Sequence, residues 1–95
     1  MTDSKGFLIP AKYWKDADLS LSEKVMITEI ERLASEDGCL ESNKYFAKFI
    51  GLSRSRVSEI INKLSLKGYL ETQYFTDQDG QNRRRIYIVS KREHL

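Results

Sequence analysis

The fold is decided by residues 42–68, which read SNKYFAKFIGLSRSRVSEIINKLSLKG. In the second half of this stretch the apolar residues recur at the spacing i, i+3, i+4 and i+7, at Val57, Ile60, Ile61 and Leu64. This spacing places them on one side of an α-helix, which must face a core. Ser53 stands where an N-cap is expected, and Gly68 stands where the helix should stop. The stretch therefore predicts a helix of about four turns.

The first half of the same stretch predicts a second helix that meets this one at a sharp turn. Ala47, Gly51, Val57 and Ile60 have the spacing A-x3-G-x5-V-x2-I. Ala47 allows the two helices to approach closely, and Gly51 can adopt the positive φ that the turn requires. Val57 and Ile60 then fill the angle between the helices. Residues 42–67 are therefore predicted to form a helix-turn-helix.

A β-hairpin is predicted directly after the second helix. Residues 69–75 (YLETQYF) and 83–89 (RRRIYIV) alternate in polarity on either side of the turn TDQDGQN, and Leu70, Ile86 and Ile88 are expected to face the helices. A hairpin in this place is the wing of a winged helix. The predicted fold is thus an α+β winged helix-turn-helix, with a three-helix core, a C-terminal hairpin wing over residues 69–89 and a short third strand at Gly38-Cys39-Leu40.

The first part of the chain is predicted to be scaffold. Residues 1–19 form an N-terminal extension in which Pro10 opens a short helix or turn over residues 11–16. Residues 20–36 form the scaffold helix, whose start Ser20-Leu21-Ser22-Glu23 fits a capping box. The extension carries an apolar group that we call the entry cluster, made of Phe7, Leu8, Ile9, Tyr13 and Trp14. The entry cluster either caps the core or forms a surface for a partner or a second copy.

The side chains expected to contact DNA lie on the outward side of the helix-turn-helix and on the return strand of the wing. They are Asn43, Lys44, Ser53, Arg54, Ser55, Arg56, Glu59, Asn62, Lys63, Arg83, Arg84 and Arg85. Glu59 has two readings, since it can accept from a cytosine amino group or hold the cations three and four residues away. The wing arginines could also only keep a sheet edge charged.

Positive charge is unevenly distributed along the chain. The 95 residues carry a formal net charge of +2, which is too small to indicate a nucleic-acid partner by itself. Residues 1–42 contain five Lys/Arg and nine Asp/Glu, a net −4, whereas residues 43–95 contain eleven Lys/Arg and five Asp/Glu, a net +6. The positive excess therefore lies in the helix-turn-helix and the wing, as expected of a domain with one DNA-facing side.

Catalysis and metal binding find little support in the sequence. One histidine, His94, and one cysteine, Cys39, cannot form a metal cage, a Cys/His pair or an intrachain disulfide. Cys39 is expected to be a small buried residue, and Asp77 and Asp79 to be turn formers. No phosphate-binding loop with a lysine at the required spacing is present. We therefore expect a protein that is not an enzyme and needs no metal or cofactor.

Length and composition fit one small domain over residues 1–95. Hydrophobic residues at 40% and charged residues at 32% are ordinary for a globular protein and argue against disorder. No apolar run approaches the length of a bilayer-spanning helix, and the amino terminus lacks the apolar core of a signal peptide. We therefore expect no membrane partner and a cytoplasmic location.

The chain resembles a family of replication proteins. The runs FLIPAKYW, LSLSEKVMITEIERL and GCLESNKYFAKFIGLSRSRVSEIINKLSLKGYLE are similar to the winged-helix domains at the amino terminus of replisome organisers and initiators from phages and plasmids of Gram-positive bacteria. The resemblance covers nearly the whole chain. It implies the order helix, strand, two helices and two strands, with residues 53–66 as recognition helix and duplex DNA as target. Longer members continue beyond the position of Leu95 with a segment that recruits a helicase or helicase loader. If the chain is an initiator, we expect it to be the DNA-binding fragment, and if it is complete, the resemblance gives less support to a role in initiation.

Three functions therefore remain open from the sequence. The first is binding to repeated sites at a phage or plasmid replication origin, as a homodimer or multimer and with a replication-protein partner at the entry cluster. The second is transcription regulation at an operator, because the same fold reads both kinds of site. The third is a winged helix that contacts a protein through the entry cluster and does not bind DNA.

Overall fold

The computed structural model describes residues 7–89, which contain four helices and a two-stranded antiparallel sheet. The elements run in the order α1 (Ala11–Trp14), α2 (Leu21–Leu33), α3 (Asn43–Ile50), α4 (Arg54–Leu66), β1 (Leu70–Thr76) and β2 (Asn82–Ile88). The predicted α+β winged helix-turn-helix is confirmed, with α3 and α4 as the helix-turn-helix and the hairpin β1–β2 as the wing. His94 and residues 1–6 of the predicted extension lie outside the described residues.

The three longer helices begin as the sequence predicts. Ser20, Ser42 and Ser53 are their N-caps, and each hydroxyl accepts a hydrogen bond of 3.1 to 3.2 Å from the amide three residues on. At α2 the Glu23 carboxylate also accepts from the Ser20 amide at 2.8 Å, which completes the capping box. Gly51 ends α3 with a φ of 79°, the left-handed conformation that the sharp turn requires.

The core lies between the helices and the inner side of the hairpin. The stripe of α4 packs against α2, α3 and β1, and its four apolar residues are each at most 5% exposed. Met26, Ile27 and Ile30 of α2 meet this stripe and are fully buried. Leu70 and Ile86 close the core from the hairpin, as predicted, and Ile88 packs against its edge. Burial on this scale is the main favourable term in folding such a small domain.

The predicted third strand is reduced to a single bridge. Cys39 and Ile86 exchange two backbone hydrogen bonds, of 2.8 and 3.0 Å, and neither neighbour of Cys39 pairs with β2. The reason is that Gly38 has a φ of 80° and closes a turn with Ser35, so extended backbone begins only at Cys39. The chain reaches the Ser42 cap three residues later. Cys39 itself is fully buried, as expected, and burial raises the pKa of its thiol.

The wing pairs β1 with β2 from Leu70 opposite Ile88 to Thr76 opposite Asn82. β1 begins one residue later than the sequence predicts, because the Tyr69 amide still donates to a carbonyl of α4. β2 begins one residue earlier than predicted, at Asn82. At the tip, Asp77 Oδ1 accepts from the amides of Asp79 and Gln81, each at 2.9 Å. These hydrogen bonds hold the pKa of Asp77 below its usual range. The Asp77 side chain therefore forms the turn, as the sequence predicts for this residue.

The entry cluster divides into a buried and an exposed part. Tyr13 is buried and Ile9 packs against the core, so these two cap it. Leu8 and Trp14 are 84% and 56% exposed, and Phe7 is exposed with its ring 5.4 Å from that of Phe49. The exposed part leaves an apolar surface beside α2 and α3.

A buried carboxylate joins α2 to α3. Glu29 is fully buried and accepts two hydrogen bonds of 2.8 Å from Arg32 and one of 2.5 Å from the Tyr45 hydroxyl. Burial raises the pKa of Glu29, but the hydrogen bonds from Arg32 and Tyr45 outweigh it, so the pKa lies below the ordinary value of 4.5. Glu29 is therefore ionised in the folded protein at neutral pH.

We expect Gly38→Ala to destabilise the fold more than Gly80→Ala. Both glycines have a φ near 80°, but a Cβ at Gly38 would lie 3.0 Å from the Ile86 carbonyl oxygen, whereas nothing lies within 4 Å of one at Gly80. The free energy of unfolding in urea should fall by about 2–4 kcal/mol for Gly38→Ala and about 1–2 kcal/mol for Gly80→Ala. Equal losses would show that the bridge to β2 does not constrain Gly38.

We expect Glu29→Gln to remove a pH-dependent part of the stability. Because the pKa of Glu29 is lowered by folding, its ionisation stabilises the fold above about pH 4.5, and this contribution is lost as the pH falls through the folded value. Glu29→Gln should lower the free energy of unfolding by about 1–3 kcal/mol at neutral pH. In urea titrations the gap to the wild type should narrow with acidification, and Glu36→Gln at an exposed position is the matched control. A gap that stays constant would contradict this role.

Candidate DNA interface

The side of α4 opposite its buried stripe is exposed along the whole helix. Ser55, Glu59 and Asn62 are exposed there, and Leu66 continues the same line one turn further. The side chains of Ser55 and Asn62 make no hydrogen bond within residues 7–89. Their hydroxyl and amide groups are therefore available to a ligand. Both groups can pair with base edges in a major groove.

The charged residues on the flanks of α4 differ in what they contact. Arg56 forms an exposed ion pair of 2.9 Å with Glu59, which confirms one of the two pairs that the spacing predicted. No pair between Glu59 and Lys63 forms in the described part of the chain. Lys63 instead lies close enough to Glu23 to help lower the pKa of that carboxyl. Arg54 is exposed and has no ion pair with any residue between 7 and 89.

The start of α3 brings together residues that lie far apart in the sequence. The Ser42 hydroxyl caps the helix, as the Ser53 hydroxyl caps α4. Lys44 is exposed beside this cap. The Asn43 side chain is half-buried, and its oxygen accepts a hydrogen bond of 2.8 Å from Arg84 of the wing. Asn43 therefore joins α3 to the wing.

The three consecutive arginines of β2 point to two different sides of the hairpin. Arg83 and Arg85 lie on the outer side, because side chains alternate along a strand. Arg83 forms a long, exposed ion pair of 3.4 Å with Asp77. The Arg85 guanidinium lies over the Phe75 ring at 4.3 Å from its centroid. On this outer side of the wing Arg83 is exposed, whereas Arg85 is half-buried.

Arg84 lies on the inner side, which also carries Ile86. Its two terminal nitrogens donate to the Asn43 side chain and, at 2.9 Å, to the Glu41 carbonyl. Burial lowers the pKa of this guanidinium, and both of its acceptors are uncharged. Arg84 thus fastens the wing to the segment that leads into α3, a role that the sequence did not reveal.

Sequence reasoning also missed Tyr74. Its ring is 79% exposed, although it lies on the inner side of the hairpin and opposite Arg84 in the register. Counting forward by twos from the buried Leu70 would have placed it on that side. Its exposure could not be read in the same way, because it depends on how far the hairpin extends beyond the helices.

The described residues show neither a metal site nor a membrane span. Between residues 7 and 89 no group of three or more His, Cys, Asp or Glu side chains could hold a metal ion. No helix in the same range is long and apolar enough to cross a bilayer.

A family model described as a helix-turn-helix domain matches residues 17–70, more than half of the chain. The chain belongs to this helix-turn-helix family. No curated protein and no solved structure matches the chain. The matched region contains α2, α3 and α4, and it ends at the first residue of β1. Helix-turn-helix domains are DNA-binding modules that read the major groove with the second helix of the motif, which is α4 here, and they are typically not enzymes.

We expect Arg84→Gln to loosen the wing and Arg83→Gln to leave it in place. Losing the half-buried guanidinium leaves the Asn43 oxygen and the Glu41 carbonyl without their donor, which should cost about 1–3 kcal/mol of unfolding free energy. The exposed pair of Arg83 should contribute less than about 1 kcal/mol. Urea unfolding and hydrogen exchange of the β2 amides measure both effects. Similar results for the two variants would contradict the anchoring role.

Proposed function

We propose that this helix-turn-helix protein binds duplex DNA with sequence specificity, with α4 in the major groove and the wing along the adjacent backbone or minor groove. The observation that carries the proposal is the exposed polar stripe of α4, whose Ser55 and Asn62 are unpartnered within residues 7–89. It lies directly opposite a fully buried apolar stripe. The positive excess of residues 43–95 supports the same surface.

The proposed contacts follow from the placement of each side chain. Asn62 and Ser55 read base edges. The side-chain amide of Asn62 can both donate and accept a hydrogen bond, which suits a bidentate contact with adenine. Glu59 either accepts from a cytosine amino group or only orients its partner Arg56. The cations on α3, α4 and the wing act mainly through phosphates, and they are Lys44, Arg54, Arg56, Lys63, Arg83, Arg84 and Arg85. Ser53 and Asn43 contribute by capping α4 and by holding the wing.

For the biological setting we propose repeated sites at a phage or plasmid replication origin, in the cytoplasm of a bacterial host. The resemblance of the sequence to the winged-helix domains of replication proteins supports this choice. An operator is the alternative, since a helix-turn-helix reads either kind of site by the same contacts. Repeated sites would let a homodimer or multimer gain avidity from individually weak domains. The exposed part of the entry cluster would then be free for a replication-protein partner.

Selection from a random duplex library, followed by anisotropy measurements across a salt series, tests the proposal. An enriched motif should emerge, and its affinity should fall with salt at a log–log slope of about −4 to −6, for roughly five to seven phosphate contacts. Finding the motif as repeats near a replication gene would favour the origin. Absence of both enrichment and salt-sensitive binding would overturn the proposal and favour a winged helix that only contacts protein.

We expect Asn62→Ala and Arg54→Gln to weaken DNA binding in different ways. Asn62→Ala should lose about 1–3 kcal/mol on the selected motif at one base pair and little on other sequences. Arg54→Gln should weaken binding to all sequences alike and make the salt slope shallower by about one. Anisotropy on the motif and on single-base variants separates the two patterns. A uniform loss for Asn62→Ala would show that Asn62 does not read a base.

A further inference from the structure

An apolar groove of about 690 Å³ lies between the N-terminal extension and the helices α2 and α3. We call it the entry groove. Its apolar walls are Phe7, Leu8 and Pro10 from the extension and Phe49 from α3. No residue of α4 or of the wing lines it. The entry groove is therefore separate from the surface that we propose contacts DNA.

The face that holds the entry groove also carries a side chain that could fill such a groove. Leu8 lines the groove and is 84% exposed, so it projects from the rim. The rings of Phe7 and Phe49 lie 5.4 Å apart, and both residues are still 38% exposed. Burying these apolar side chains against another apolar surface is favourable. A face with both a projecting side chain and a recess can pair with a copy of itself across a two-fold axis.

The charged residues that line the entry groove are neutralised within the chain. Glu29 is paired with Arg32 at 2.8 Å, and Glu31 is paired with Lys12 at 2.9 Å. The groove therefore lacks the strong positive charge of residues 43–95, which carry a net +6. Because like-charged surfaces repel, two copies approach each other more easily through the entry groove than through the basic surface.

These ion pairs leave an acceptor and a donor that match each other. Oε2 of Glu31 accepts from Lys12, but Oε1 is buried without a hydrogen-bond partner among the described residues. An unpaired buried oxygen is costly, and rotation of this partly exposed carboxylate would present it to a donor. Arg32 binds Glu29 through Nε and Nη2, yet its side chain is 58% exposed. A guanidinium has five N–H donors, so Arg32 can donate to a second carboxylate.

We propose that two copies of this chain associate through the entry groove about a two-fold axis, in the absence of DNA. Leu8 of each copy enters the groove of the other, and Arg32 of each copy donates to the Glu31 carboxylate of the other. The inference goes beyond the proposed function and does not depend on DNA binding. It gives the exposed part of the entry cluster a second copy as its occupant, in place of a replication protein. Both α4 helices stay outside the interface.

Sedimentation equilibrium of the full chain over a range of concentrations tests this association. The mass of the wild type should rise from 11.1 kDa and level off at twice that value, because a two-fold contact uses the same face of both copies and closes. Leu8→Asp should raise the dissociation constant about tenfold or more, since it places a carboxylate in an apolar contact. Leu66→Asp is the matched control, because Leu66 is 87% exposed but lies on α4, and it should leave the association unchanged.

Glu31→Gln gives a second reading that keeps the apolar contact. It removes the charge that faces Arg32 of the other copy, and it does so twice in each dimer. The dissociation constant should rise about threefold or more, and its dependence on salt should become shallower. Thermal melting of each variant checks that the fold is intact.

Three results would overturn the inference. A chain that stays at 11.1 kDa up to about 1 mM does not associate, and the entry groove is then left for a different protein. A mass that rises beyond two copies indicates a head-to-tail contact, which does not close. A dimer that Leu8→Asp does not weaken uses another face of the molecule. None of these results bears on DNA binding, which Asn62→Ala and Arg54→Gln test separately.

Discussion

Burial of one apolar stripe on α4 is the constraint on which the rest of the structure depends. Val57, Ile60, Ile61 and Leu64 pack against α2, α3 and β1 and leave almost no surface exposed. A helix is a rigid cylinder, so fixing the rotation of one side fixes the opposite side as well. The exposed line through Asn62 is therefore positioned by the core. The hydrophobic effect that folds the domain also orients the surface that we propose reads DNA.

Polar contacts then place the other parts of this surface relative to α4. The buried Glu29 carboxylate of α2 is held by Arg32 of the same helix and accepts from Tyr45 of α3, which ties α3 to α2. Arg84 of β2 holds the wing against the start of α3. The backbone bridge between Cys39 and Ile86 fixes β2 a second time, two residues further along the strand. The first helix of the motif is thus tied to both the scaffold and the wing. Such ties limit the rearrangement that binding a rigid duplex would otherwise require.

The features that the sequence predicted correctly are those set by nearby residues. The serine caps, the left-handed Gly51 and the stripe of α4 each depend on positions within about two turns, and the hairpin depends on alternation beside a polar turn. The third strand was overpredicted because the positive φ of Gly38 and its turn with Ser35 shorten the extended segment to one paired residue.

Contacts between distant residues explain what the sequence could not show. Three adjacent arginines look equivalent in a sequence, yet the partners of Arg84 lie 41 and 43 residues earlier in the chain. The link between Glu29 and Tyr45 and the nearness of Lys63 to Glu23 are also products of the tertiary fold.

The most direct test of DNA reading by α4 is amide chemical-shift mapping by NMR while a duplex is added. We expect perturbed amides along α4 around Ser55 and Asn62 and in the wing, with those of the entry cluster unchanged. Perturbation confined to the entry cluster and α2, with α4 unaffected, would contradict it.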